Sequence, residues 1–161
     1  MSDETTRAAI RLLLRRGALL TEWEVAVLSD DAIPSARLLP IFRLRDYVPR
    51  MIDTVVEALR GESYGAMALQ TRARSFARVH AIDRIDAGFL LEEVLRELAH
   101  LETVLVAELE HVAKAHATVL EAIEDARHVV ERSFLVSGTR VREGAVVGSE
   151  NAEVSSKRQV S

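Results

Sequence analysis

The sequence predicts an all-α protein, a bundle of about five helices that ends in a long C-terminal helix. Apolar residues recur at intervals of three and four through most of the chain, and glycines and prolines separate the periodic stretches. No segment alternates polar and apolar residues for long enough to make a convincing strand. The chain has 161 residues and a formal net charge of -4, which suits one domain with a sizeable core.

The first helix is predicted over roughly Glu4 to Leu28. Its apolar stripe consists of Ile10, Leu13, Leu20, Trp23 and Val27. Pro34 and Pro40 then allow at most one short helical turn between them, because proline lacks the amide donor that a helix interior needs.

The most regular helix is expected between Asp46 and Gly61. Asp46 is the predicted cap, Pro49 lies in the first turn, and Gly61 offers a C-terminal stop. Its apolar stripe keeps the spacing of one helical face throughout: Val48, Met51, Ile52, Val55, Val56 and Leu59. Trp23 and Val55 are assigned to the core, together with Phe76 of the next helix.

That next helix is predicted from just after Ser63 to about Ala87, and Gly88 ends or bends it. From Phe89 to about Val136 there is no glycine or proline, so this segment is one long helix or two helices with an unmarked break. Residues 137–161 lose the periodicity and are rich in glycine, serine and charge, which favours a disordered polar tail over a short β-hairpin. The predicted division is a helical regulatory domain at 1–136 and a tail at 137–161.

Composition excludes several function classes. The chain has no cysteine, which rules out disulfides and thiolate chemistry. Acidic and basic residues alternate, so no face has the clustered positive charge of a nucleic-acid binding protein. The first apolar stretch is interrupted by Arg11, Arg15 and Arg16, which argues against a signal peptide and against a membrane span. We therefore expect a cytoplasmic protein with no membrane or nucleic-acid partner.

Two Glu-x-x-His pairs, Glu97 with His100 and Glu108 with His111, raise the question of a metal site. Di-iron bundles place such pairs on different helices, whereas these two lie on one predicted helix, roughly 16 Å apart. They are therefore predicted to lie on a solvated face, as His116 and His128 are, and no metal is expected. A metal-dependent oxidase would need the metal to bind between chains.

Catalytic motifs are missing from the sequence as well. It contains no Gly-x-Ser-x-Gly elbow and no glycine-rich loop that could cradle phosphate after a strand. The prediction is a non-enzymatic protein without a cofactor.

His80 and Arg84 stand one turn apart on the face of a helix that also carries Phe76 and Ala77. A histidine in that position is either a haem ligand, as in globins, or a residue that bonds to a neighbouring helix. Arg84 would be costly to bury without a partner. If Gly88 turns the chain back, the acceptor is one of three carboxylates on the following helix, Glu92, Glu93 or Glu97. We predict a structural clamp made of His80, Arg84 and Gly88.

Three short stretches, in this order and spacing, resemble the N-terminal helical domain of RsbR-type (RsbRD) stressosome proteins and of some sensor histidine kinases. They are Asp46 with Pro49 and Ile52, then the run that contains His80, Ala81, Arg84, Gly88 and Phe89, then Glu97 with Leu101. The likeness covers roughly Leu12 to Ala126. After the glutamate the family usually has an aromatic residue and a Leu-Arg pair, whereas this chain has Leu98, Leu101 and Glu102.

The resemblance implies a globin-like bundle that does not require haem, is usually dimeric, and acts as the signal-input module of a bacterial regulator in stress or two-component signalling. Such a module normally precedes a STAS domain or a histidine kinase core. Neither follows here, so a stand-alone or truncated input domain is expected, with a STAS-type regulator or a histidine kinase as partner. The dimer seam is predicted at Leu98, Leu101 and Leu105. The alternative is a globin-like sensor that binds haem or a small ligand through His80.

Overall fold

The computed structural model describes the backbone of residues 3–61 and 66–157 and the side chains of 3–61 and 67–138. These residues form helices and no strand: α1 (Asp3–Ser29), a 3-10 turn (Pro34–Leu38), α2 (Ile41–Arg45), α3 (Tyr47–Arg60), α4 (Ala66–Asp86), α5 (Leu91–Glu108) and α6 (Ala113–Lys157). The all-α fold with a long C-terminal helix is confirmed. Five of the described helices have 14 residues or more, and α2 is a single short addition.

The helices pack around one contiguous apolar core. Helix α1 contacts α3 and α5, while α6 packs against α4, α5 and α3. All six residues of the predicted α3 stripe are buried. The α1 stripe is only partly right, because Ile10 and Leu13 are 50% and 42% exposed and Leu12 and Leu19 are buried instead. The buried face of α1 is rotated away from the predicted one.

The sequence predicts one signal at each end of α3; the glycine at the C-terminal end is confirmed and the cap at the N-terminal end is wrong. Gly61 follows the helix with φ of 62°, the left-handed conformation that glycine adopts without strain. Asp46 does not cap the helix, because its own backbone is helical (φ -62°, ψ -35°) and its side chain makes no capping hydrogen bond. A capping side chain needs extended backbone at the cap, and here α2 leads almost directly into α3.

Gly88 forms the corner between α4 and α5. Its φ is 85°, and the amide of Phe89 donates to the carbonyl of Arg84 at 2.9 Å, which closes the end of α4. The Glu93 carboxylate then accepts the amide of Leu90 at 2.8 Å and fixes the start of α5. The same carboxylate accepts the amide and the hydroxyl of Ser35, so the 3-10 turn is held against α5.

The segment from Phe89 onward contains two packed helices with a break that neither glycine nor proline marks. Helix α5 ends at Glu108, and Leu109 is buried in the turn that follows. The amide of Val112 donates to the carbonyl of Leu109 at 2.9 Å, after which α6 packs back against α5.

The backbone of α6 is helical to Lys157, whereas the sequence predicts a disordered tail, or as a minor alternative a short hairpin, from residue 137. A helix can continue there because the last proline of the chain is Pro49. The side chains beyond 138 lie outside the described residues, so the division of the chain at 136 stays a prediction. Among the described helices, none is long and apolar enough to span a bilayer.

Candidate functional site

Arg84 is the centre of a buried polar cluster at the α4–α5 corner. Its side chain is fully buried, and its Nε donates to both carboxylate oxygens of Glu97 at 3.2 and 3.0 Å. Nη1 donates to Asp83 Oδ2 at 2.9 Å and to the carbonyl of Arg43 at 3.3 Å, and Nη2 donates to the carbonyl of Leu44 at 3.1 Å. One guanidinium therefore joins α4 to α5 and to α2.

Glu97 joins the cluster to a further helix. Its backbone carbonyl accepts a hydrogen bond from Trp23 Nε1 of α1 at 3.0 Å. Its carboxylate, 1% exposed, also has His80 Nε2 at 3.4 Å. Burial raises the pKa of the Glu97 carboxyl, but His80 and the Arg84 guanidinium outweigh burial and hold that pKa below its ordinary value. The carboxylate is thus kept ionised inside the core by two groups from α4.

The His80 ring is held between two neighbours. It stacks on Tyr47 with centroids 4.4 Å apart and an interplanar angle of 17°. Its Nε2 makes no well-aligned hydrogen bond to any described residue, and neither does the Tyr47 hydroxyl. Burial raises the pKa of the Tyr47 phenol, and the charge of Asp125 raises it further. The guanidinium of Arg84 lies 5.1 Å from the centre of the Phe89 ring, so aromatic surfaces enclose the cluster.

This arrangement suits cross-linking of helices better than ligand binding. The cavity beside His80 measures ≈ 90 Å³, well below the roughly 300–1,000 Å³ of small-molecule sites. A haem iron could reach His80 only after Tyr47 or Glu97 had moved away from the imidazole. The space suits a few ordered waters, which would satisfy the free nitrogen and the phenol.

The two Glu-x-x-His pairs do not act together. Glu97 belongs to the buried cluster, while Glu108 binds Arg11 and Arg15 of α1. The two histidines are apart as well: His100 lies 2.7 Å from Asp30 Oδ2, which also accepts from Arg96, and His111 is exposed in the turn before α6. Among the described residues, no three histidine, aspartate or glutamate side chains are grouped so that they could hold a metal ion.

The predicted dimer seam is wrong. Leu98, Leu101 and Leu105 are 1%, 1% and 0% exposed within a single chain, where they belong to its own core. A side chain without exposed surface has nothing left to bury against a second copy. Of the three residues assigned to the core, Trp23 and Val55 are buried, and Phe76 is half-buried with the Arg50 guanidinium 5.0 Å from its ring centre.

The cluster thus brings together His80, Arg84 and Glu97, and Gly88 makes the corner that brings Glu97 within reach. Sequence reasoning missed Trp23 as a hydrogen-bond donor and Tyr47 as the stacking partner of His80. Neither had a local signal, because Trp23 is 74 residues away from Glu97 along the chain.

Comparison with protein-family models, with curated proteins and with solved structures finds no match to this chain. Its function is therefore inferred from its own residues.

Proposed function

We propose that this chain is a non-enzymatic signal-input or regulatory domain of the RsbR N-terminal type, which acts in the cytoplasm as a homodimer and through protein partners in stress or two-component signalling. The observation that supports this best is the buried cluster of His80, Arg84 and Glu97. Its members belong to the stretches that resemble the RsbR-type domain. They also lie inside the fold, where they hold helices together.

A buried ion pair with several fixed acceptors favours one discrete packing of the helices that it joins. Arg84 and Glu97 connect α4, α5 and α2, and the Glu97 carbonyl adds α1 through Trp23. Signal-transducing domains shift between such discrete packings, because packed interfaces do not deform continuously. The cluster therefore suits a domain whose helices move as units.

Helix α6 is the element that would carry such a shift to a partner. It packs against both α4 and α5, the two helices joined by the Arg84–Glu97 pair. Its 45 residues extend along about 65 Å. A histidine kinase or a STAS-type regulator would bind this helix or its distal part.

For the homodimer we propose the outer face of α1. Ile10, Leu14 and Val25 are 50%, 82% and 59% exposed, and their separations of four and eleven residues place them along one side of the helix. Gly17 and Thr21 lie between them on the same side, and a Cβ at Gly17 would have no atom within 4 Å. Small residues at mid-helix let a second helix approach closely.

The charges beside this face are self-complementary. The N-terminal half of α1 has an excess of positive charge despite Asp3 and Glu4, because it carries four arginines, whereas Glu22 and Glu24 lie in the C-terminal half. Within the chain these charges also have partners, since Arg7 contacts Asp3, Arg15 contacts Glu22 and Glu24 contacts Arg45. Two copies of α1 in antiparallel orientation would place the basic half of each against the acidic half of the other. A two-fold symmetric dimer requires a self-complementary surface of this kind.

Light scattering coupled to size exclusion tests the dimer. The expected result is a dimer mass for the native chain and a monomer mass for Leu14→Glu. Leu38→Glu is the matched control, because Leu38 is also exposed, at 85%, but lies in the 3-10 turn. A native monomer at all concentrations, or a dimeric Leu14→Glu variant, would refute the α1 interface.

An affinity purification of the tagged chain from its native cytosol tests the partner and the haem alternative together. Mass spectrometry of the eluate should identify a histidine kinase or a STAS protein, and its absorption spectrum should lack a Soret band. A Soret band that disappears in His80→Ala would instead favour the haem sensor. A colourless eluate that contains only this chain would contradict a partner-binding role.

A further inference from the structure

An open cavity of ≈ 820 Å³ lies between α3, α4 and α6, on a side of the fold that the polar cluster does not use. This volume falls within the range of pockets that hold small organic ligands, roughly 300–1,000 Å³. It is about nine times the space beside His80. The cavity therefore has room for a ligand of more than a few atoms. A second open cavity, of ≈ 560 Å³, lies on the outer face of α1 beside Ile10 and Leu14, where the dimer interface is proposed.

The floor of the cavity is apolar. Met51 and Val55 of α3 and Ala126 of α6 form its deepest part, and all three are buried. Leu69 and Ala73 of α4 make a half-buried wall. Burial of an aliphatic group here would remove apolar surface from water on both partners, which favours a ligand with a hydrocarbon portion.

The walls and mouth carry an excess of negative charge. Four carboxylates line the cavity, and its one guanidinium, Arg74, is held by Asp125 through contacts of 2.8 to 3.1 Å. Glu57 contacts Arg72 of α4. These pairs neutralise each other and leave two carboxylates of α6, Glu121 and Glu124, to set the charge of the mouth.

Glu121 and Glu124 are one turn apart on the exposed edge of α6. Among the described residues, Glu121 makes no ion pair, and Glu124 has only distant ones, to Arg127 at 3.9 Å and to His128 at 3.6 Å. A cationic group at the mouth would gain two carboxylate partners, whereas an anionic group would meet repulsion from both.

We propose that this cavity binds an amphipathic organic cation, a protonated amine whose aliphatic part occupies the floor between Met51, Val55 and Ala126 and whose ammonium group lies between Glu121 and Glu124. Carboxylates accept hydrogen bonds from an ammonium group, so the pair Glu121 and Glu124 favours an ammonium with hydrogen atoms to donate over a quaternary one.

The site would supply an input to the proposed regulatory domain, because an occupant would contact α3, α4 and α6 at once. Only this role rests on the proposed function, since binding is measured on the purified chain. Amine binding with no change in dimer mass or in partner recovery would keep the site and contradict the regulatory role. Partner recovery without amine binding would support the regulatory role and contradict the amine site.

Isothermal titration of the full chain with octylamine, octanoate and octanol tests the ligand class, because the three probes share one aliphatic chain and differ in charge. One octylamine per chain is expected to bind, with octanoate weaker by about tenfold or more, which corresponds to about 1.4 kcal/mol. Tighter binding of octanoate, equal binding of all three, or no saturable binding of octylamine would each overturn the proposal.

Two variants locate the site. Glu121→Gln combined with Glu124→Gln keeps the shape of the mouth and should weaken octylamine while leaving octanol unchanged. Glu131→Gln is the control, an exposed glutamate of the same helix away from the cavity, and should leave octylamine affinity as it was. Ala122→Phe should fill the cavity and abolish binding of both probes. Unchanged octylamine binding in the double glutamine variant or in Ala122→Phe would show that the amine binds elsewhere.

Discussion

Replacement of Arg84 by alanine tests the buried cluster directly. The guanidinium donates to Glu97, to Asp83 and to two backbone carbonyls, and it has no exposed surface. Its removal leaves the Glu97 carboxylate, 1% exposed, with His80 as its remaining partner. Loss of one member of a buried ion pair costs roughly 3–5 kcal/mol, because the other charge stays in the core uncompensated.

The free energy of unfolding of Arg84→Ala should therefore fall by about 4 kcal/mol, and its melting temperature by about 10 °C for a chain of this length. Urea unfolding followed by circular dichroism measures the first quantity and a thermal scan the second. Arg78→Ala is the matched control, an exposed arginine on the same helix, and should change the free energy by less than about 0.5 kcal/mol.

A double variant separates the ion pair from simple loss of packing. If Arg84→Met is combined with Glu97→Leu, neither charge is left alone in the core, so the double variant should be more stable than Arg84→Ala. The reasoning fails if Arg84→Ala unfolds at the same urea concentration as the native chain. It also fails if removal of both charges is more damaging than removal of one.

Three further results are expected. Gly88→Ala should lower the free energy of unfolding by about 1–2 kcal/mol because its φ is 85°, whereas Gly17→Ala, made in the Leu14→Glu variant that is expected to be monomeric, should raise it by about 0.5–1 kcal/mol; urea titrations compare each variant with its parent. Leu101→Ala should cost about 3 kcal/mol without any change in the mass measured by light scattering, and a dissociated dimer would restore the predicted seam. The hydrogen bond from His100, with help from the Ala32 amide, lowers the pKa of Asp30 from 3.8 to about 2. A depressed carboxyl pKa stabilises the fold above the unfolded value and loses that effect as pH falls through the folded value. Stability should therefore decline from about pH 4 to about pH 2, and less steeply in His100→Gln; equal slopes would contradict this.

Local signals predicted the helices well where they were strong. The apolar stripe of α3 and the glycine after it act within one helix, and both occur as expected. The same holds for Gly88, whose positive φ is a property of a single residue. Local signals could not predict the break between α5 and α6. It is created by the burial of Leu109 and by the packing of α6 against α5, and both depend on contacts with distant residues.

The candidate site was predictable in part for the same reason. His80 and Arg84 are polar residues on an apolar helical face, which is a local signal that a partner must exist. Three carboxylates of α5 were candidates for that partner in the sequence. Glu97 is the partner because the orientation of α5 turns this residue toward Arg84. Glu93 binds Ser35 instead, and Glu92 is exposed. The Trp23 indole donates to the backbone carbonyl of Glu97, and every residue type has such a carbonyl, so the sequence could not identify this acceptor.

The two main errors have one physical cause. The sequence places Ile10 in the apolar stripe of α1, and it is half exposed, whereas it predicts Leu101 at a dimer interface, and this residue is buried in its own chain. Amphipathic spacing shows that a helical face needs an apolar neighbour, but it does not identify that neighbour. In α5 the neighbour is the chain itself. In α1, which carries apolar residues on more than one side, the face left uncovered after folding is the one that a second copy can bury, so the dimer is expected at the helix whose predicted apolar stripe is only partly buried.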